Sequence, residues 1–157
     1  MTIDIGDRIP AVELLDSDDR SFSLDRYAGA PLLLYFYPKD DTAGCTREAQ
    51  EFSAEKAAFD TLGVQLLGVS RDTAAKHRKF IGKYELTVPL ATDPDGKALE
   101  AFGSWVEKSL YGRKYMGIDR STFLFGADGK LVRAWRKVRV PGHVEAVLAA
   151  AKELTAR

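Results

Sequence analysis

Six consecutive apolar positions, Leu32-Leu33-Leu34-Tyr35-Phe36-Tyr37, stand out from an otherwise mixed chain and are closed by Pro38. A run that is apolar on both faces predicts a central strand covered by helices on either side. Residues 64–70 form a second continuous run of the same kind. Between the two, Cys45, Ala49, Phe52 and Phe59 recur at helical spacings with charges between them, which predicts a helix over residues 43–62 with Gly63 at its C-terminal stop. Asp72 is expected to cap a further helix running to about residue 84. The pattern is a βαβα unit.

Upstream, residues 11–15 and 21–24 read as short strands around the polar turn Asp16-Ser17-Asp18-Asp19-Arg20, an N-terminal hairpin. Downstream, residues 88–92 form a short strand in which Pro89 marks a terminus, followed by a helical segment over residues 96–102. Residues 121–125 and 131–136 flank Gly126-Ala127-Asp128-Gly129-Lys130, whose Asp-Gly pair predicts an antiparallel pair of strands. Val144, Val147, Leu148, Ala151 and Leu154 give the last helix one apolar stripe. The expected fold class is α/β: one domain over residues 1–157, a central mixed β-sheet with helices on both faces and an N-terminal β-hairpin.

Composition narrows the function classes. A chain of 157 residues, 45% hydrophobic and 29% charged, can bury one core of ordinary size. Lys plus Arg and Asp plus Glu both total 23, so no excess charge argues for nucleic acid or an anionic membrane surface as partner. The longest apolar run falls far short of the roughly 20 residues a membrane helix requires. The first thirty residues carry Asp4, Asp7, Arg8, Glu13, Asp16, Asp18 and Asp19 with no apolar stretch, unlike a secretory leader, and the expected location is cytoplasmic. The single cysteine cannot form a disulfide within the chain. His77 and His143 lack metal-ligand spacing and fall on positions read as polar helix surface, so neither a metal nor a cofactor is expected.

The chemistry concentrates between the first strand and its helix. Cys45 falls in the first helical turn, where unpaired N–H groups and the positive end of the helix dipole favour an anion, and a thiolate is the reactive form of cysteine. Attack on a peroxide moves charge onto the departing oxygen, so such a site needs hydrogen-bond donors for the oxygens. Thr42, three residues earlier, reads either as an N-cap or as a hydroxyl that positions substrate. Pro38 reads either as a strand terminator or as a wall of a pocket, and Glu48 either as an ordinary first-turn acid or as the anchor of an arginine. Of the twelve arginines, Arg120 is favoured as the stabilising cation because it immediately precedes a predicted core strand.

Pro38-x-x-x-Thr42-x-x-Cys45 resembles the active-site signature of the peroxiredoxins, and the fuller FYPKDDTAGCTREA resembles the peroxiredoxin Q subfamily, the bacterioferritin comigratory proteins. The likeness continues through GSWVEKSLYGRKYMGIDRSTFLF and WRKV…GH…VL and so covers nearly the whole chain. It implies a thioredoxin-like fold, with Cys45 as the peroxidatic thiol, Thr42 and Arg120 activating thiol and peroxide, Pro38 shielding the pocket and Glu48 supporting the arginine. It implies hydrogen peroxide and small organic hydroperoxides as substrates, a sulfenic acid on Cys45, and thioredoxin as the usual final donor. Monomers are frequent in that subfamily and dimers occur. Many relatives place a resolving cysteine five residues after the peroxidatic one, where this chain has Gln50; residues 73–84 of the next helix contain none either. Resolution is therefore expected from outside, by thioredoxin, by glutathione with glutaredoxin, or by another small thiol. Ala43 replaces a proline common before the Gly-Cys pair. Trp105 and Tyr111 match positions in a loop before the arginine, where lining the substrate mouth and packing both remain open.

Two other classes compete. A thiol–disulfide oxidoreductase normally carries a second cysteine at the position of Glu48. A non-catalytic binding or holdase protein needs only a buried, inert Cys45.

Overall fold

The computed structural model describes residues 2–156. Strands β1 (Glu13–Asp16), β2 (Ser21–Ser23), β3 (Leu32–Phe36), β4 (Gln65–Ser70), β5 (Leu90–Thr92), β6 (Trp105–Leu110), β7 (Arg113–Ile118), β8 (Ser121–Phe125) and β9 (Leu131–Trp135) are interspersed with four helices among the described residues. These are α1 (Ala43–Thr61), α2 (Ala74–Tyr84), α3 (Lys97–Phe102) and α4 (His143–Thr155), with a 3₁₀ turn at Leu24–Tyr27. Seven strands form a mixed sheet in the order β2-β1-β5-β4-β3-β8-β9, and β6 and β7 form a separate two-stranded sheet. The β3–β4 and β4–β5 pairs are parallel; β3–β8, β8–β9, β1–β2 and β1–β5 are antiparallel.

Strand alternation sorts the core onto two faces. Leu33 and Tyr35 of β3, with Leu66 and Leu124, pack against Phe52 and Phe59 of α1, Phe80 of α2 and Val147 of α4. Leu32, Leu34 and Phe36, with Val69 and Phe123, pack on the other face against Leu99 and Phe102 of α3 and against Leu14 and Phe22. Every residue of β3 is buried, as its unbroken apolar run requires. Gly68 of β4 makes room for a neighbour: a Cβ there would stand 2.6 Å from Tyr35 Cζ and 2.9 Å from Leu90 Cδ2. The expected fold class, the N-terminal hairpin and the antiparallel pair around Asp128-Gly129 are all present.

Three expectations need correction. His77 and His143 are not surface residues: they are 0% and 7% exposed. Both fall on the apolar stripes of their helices, His77 with Ala74 and Phe80, His143 with Val147 and Ala150, and each is made tolerable inside by polar partners. The N-cap of α2 is Thr73, whose hydroxyl accepts from the Lys76 N–H, rather than Asp72, which serves another loop. The segment before Arg120 is not a loop but the hairpin β6–β7, turned at Tyr111 and Gly112, which both have positive φ (49° and 77°). A two-residue turn of this hand normally recruits Asn or Asp beside Gly, and the two strands lack buried alternation, so the pattern gave little sign of it. Tyr111 at its tip is 97% exposed; Trp105 is half-buried, with the Arg71 guanidinium 5.6 Å above its ring.

Candidate active site

Register places the site. The antiparallel β3–β8 pair sets Phe36 opposite Ser121, so Arg120, one residue before β8, stands beside the chain leaving β3. That chain turns through residues 37–42 and enters α1, with Thr42 at the N-cap and Cys45 within the first turn. The ends of β3, β4 and β5 open at the same edge, where α/β sheets generally place ligands.

Cys45 is 2% exposed. Arg120 Nη2 donates to its Sγ at 3.1 Å, while Nη1 of the same guanidinium donates to Glu48 Oε1 at 2.6 Å. Gly44 and Glu48 are four residues apart on one face of α1, and the arginine crosses that face. A Cβ on Gly44 would stand 3.3 Å from Nη2, so the glycine leaves the room that lets Arg120 reach the sulfur. The fork geometry of guanidinium suits this double engagement, which a lysine could not reproduce.

The electrostatics follow from burial. Glu48 is 0% exposed, and burial drives its pKa up from 4.5 to about 7, against the lowering effect of Arg120. Burial opposes the charge of Arg120, but Glu48 and then Cys45 outweigh it and raise its pKa above the usual arginine value. The second oxygen of Glu48, Oε2, and the Tyr35 hydroxyl are buried without hydrogen-bond partners among the described residues. Burial, reinforced by Glu48 and Cys45, raises the Tyr35 phenol well above its usual range, so it stays neutral beside the site. His143 accepts or donates a 2.8 Å bond with the Thr122 hydroxyl; burial, aided by Arg120, lowers its pKa from 6.5 to about 4.

Of the five residues singled out from the sequence, three are in direct contact: Cys45, Arg120 and Glu48. Thr42 holds the N-cap position, yet its hydroxyl donates to the Lys39 carbonyl at 3.1 Å and makes no cap bond to the helix. The first-turn N–H groups near Cys45 are thus left without a side-chain cap, available to a developing anion. Pro38 is exposed and borders a cleft of about 540 Å³ shared with Lys39, Arg71, Trp105, Lys108 and Tyr115. Gly44 escaped the sequence reading because close approach of a distant side chain leaves no local signal. Among the described residues no group of three or more His, Cys, Asp or Glu could hold a metal ion, and no helix is long and apolar enough to cross a membrane.

Comparison with known proteins agrees with this arrangement. Residues 5–134 match the AhpC/TSA family. The chain is 43% identical to peroxiredoxin Bcp of Bacillus subtilis strain 168, over 99% of both chains. It is 48% identical to peroxiredoxin Bcp of Xanthomonas campestris pv. campestris, over 83% of this chain and 81% of that one. Among solved structures, the X. campestris bacterioferritin comigratory protein, described for its alkyl peroxide reduction activity, superposes with a TM-score of 0.89 at 42% identity, covering 97% of this chain and 99% of that one. Peroxiredoxin Q from the same organism gives 0.88 at 44% identity, covering 94% and 96%. With a thioredoxin-like peroxiredoxin fold and a lone cysteine under an arginine at the start of α1, this chain belongs to the AhpC/TSA family, among the peroxiredoxins of the Bcp and Q type.

Proposed function

We propose that the chain is a thiol-dependent peroxidase that reduces hydrogen peroxide and organic hydroperoxides through Cys45. The observation that carries this reading is the 3.1 Å bond from Arg120 Nη2 to Cys45 Sγ at a helix start. The thiolate attacks the terminal oxygen of ROOH along the O–O axis; an S–O bond forms, the O–O bond breaks, and the departing RO⁻ takes up a proton to leave as ROH. Cys45 ends as a sulfenic acid, oxidised by two electrons. Arg120 stabilises the thiolate and supplies donors where charge develops on oxygen. Glu48 holds the guanidinium in place. The Thr42 hydroxyl keeps lone pairs for the peroxide O–H, and Pro38 limits access of water from the cleft.

No second cysteine exists to form an internal disulfide, so an external thiol condenses with the sulfenic acid, releasing water, and a second thiol regenerates Cys45. Thioredoxin and glutathione with glutaredoxin are the donors of this reading, acting on a monomer in the reducing environment of the cytoplasm. The test is steady-state peroxide consumption with each donor system, for the wild type and Cys45→Ser. Turnover with at least one donor and none in the serine variant is expected. Retained turnover in Cys45→Ser refutes the mechanism, and reduction of insulin disulfides without peroxide consumption would favour a disulfide oxidoreductase instead.

A further inference from the structure

Residues 37–42 decide where Cys45 Sγ stands, and the connection is strained. Asp41 adopts the left-handed conformation, φ 60°, which a non-glycine residue keeps only where its surroundings over-determine it. The neighbouring Asp40 is held from three directions. The Tyr37 hydroxyl donates to its Oδ1 at 2.5 Å, His77 Nδ1 lies 2.7 Å from its Oδ2, and its N–H donates to Asp72 Oδ2 at 2.6 Å. Burial, followed by the charge of Asp40, raises the Tyr37 phenol well above its usual range, so that hydroxyl keeps its proton and donates. Asp41 is tied to the same helix, to Lys83 Nζ at 2.8 Å and to the Tyr84 hydroxyl.

His77 is the fixed point of this arrangement. It is fully buried within α2, and its Nε2 lies 3.0 Å from the Ala91 carbonyl of β5. A carbonyl only accepts, so Nε2 carries hydrogen and the ring is locked in orientation, presenting Nδ1 to Asp40. The imidazole thus couples a sheet strand and α2 to the loop that delivers the thiol.

We propose that His77 is a positioning residue for the peroxide reaction: through Asp40 it clamps residues 37–42 against α2 and so sets both the placement and the concealment of Cys45 Sγ. The placement half rests on the peroxidase reading; the concealment half does not. Because Cys45 is 2% exposed, a bulky reagent reaches its sulfur only when this segment opens, whereas a small peroxide needs the closed arrangement beside Arg120.

The test measures two rates on His77→Ala, Asp40→Ala and Asp40→Asn: single-turnover oxidation of Cys45 by hydrogen peroxide, and its alkylation by a bulky maleimide. Both alanine variants should be oxidised about tenfold more slowly and alkylated about tenfold faster, since misplacement penalises attack while loosening favours opening. Asp40→Asn should stay within about threefold of wild type on both, because its amide accepts from Tyr37 and donates to His77 Nδ1. Changes below about threefold in a folded alanine variant overturn the proposal, as does a parallel fall of both rates, which would place the effect in the sulfur's reactivity. An Asp40→Asn variant as impaired as Asp40→Ala also overturns it, assigning the effect to charge. Should His77→Ala fail to fold by circular dichroism, Asp40→Ala decides, since it leaves the buried imidazole and its bond to the Ala91 carbonyl in place. A wild type that leaves peroxide untouched defeats the peroxidase reading, and the alkylation arm still decides this one.

Discussion

Replacing Glu48 with glutamine should make the protein more stable at neutral pH and less active. The exchange keeps the oxygen that accepts from Arg120 Nη1 and removes a buried charge whose second oxygen has no partner. In the unfolded chain the acid ionises near 4.5; in the folded protein it holds its proton to about 7. A raised folded pKa means the native state binds more protons across that window, so stability is fully present below 4.5 and is lost as pH rises to 7. The gap is worth about 3 kcal/mol. Glutamine does not titrate, so Glu48→Gln should match the wild type at pH 4 and exceed it by about 3 kcal/mol at pH 8. In urea, that difference moves the midpoint by roughly 1–2 M at ordinary slopes. At pH 8, where Glu48 is ionised, peroxide kcat/KM should meanwhile fall about tenfold, because a hydrogen bond between charged groups gives way to a charged–neutral one. Stability differences that stay constant from pH 4 to pH 8, or a variant less stable throughout, would refute the reasoning.

His143, lowered from 6.5 to about 4, carries the opposite sign for acid: stability should fall as pH drops from 6.5 towards 4, and His143→Gln, which keeps a partner for Thr122, should flatten that limb in urea unfolding. Gly44→Ala should displace Arg120 by a few tenths of an ångström and lower the rate of Cys45 oxidation about tenfold in single-turnover kinetics, with little change in melting temperature. Gly68→Ala drives a methyl into the Tyr35 ring and Leu90 and should cost about 1–3 kcal/mol in urea unfolding, as overpacking does.

Periodicity along the chain was enough for β3, α1, β4, α2 and α4, because each buries a face whose spacing is written locally. It also placed Cys45 in a helical first turn, and the order of elements placed Arg120 before a core strand. The helices that bury His77 and His143 show where such reading fails: both residues lie on apolar stripes, and polarity alone argued for the surface. Their partners, Asp40 and Ala91 for one and Thr122 for the other, are 37, 14 and 21 residues away, and no pattern in one segment announces a match that distant. The hairpin β6–β7 was missed for a different reason, since strands exposed along most of their length carry no burial alternation to read.

Short-range spacing thus settled the elements that bury a face and which residue bears the reactive sulfur, since helix and strand periods are properties of neighbouring positions. Whether that sulfur meets a cation depended on the pairing of β3 with β8, which sets Ser121 beside Phe36 and brings Arg120 across Gly44 to Cys45. Long-range register and the packing of α2 against the loop exist only once the chain has closed its sheet. For that reason the grip of Glu48 on the arginine and the clamp at His77 belong to the folded protein alone.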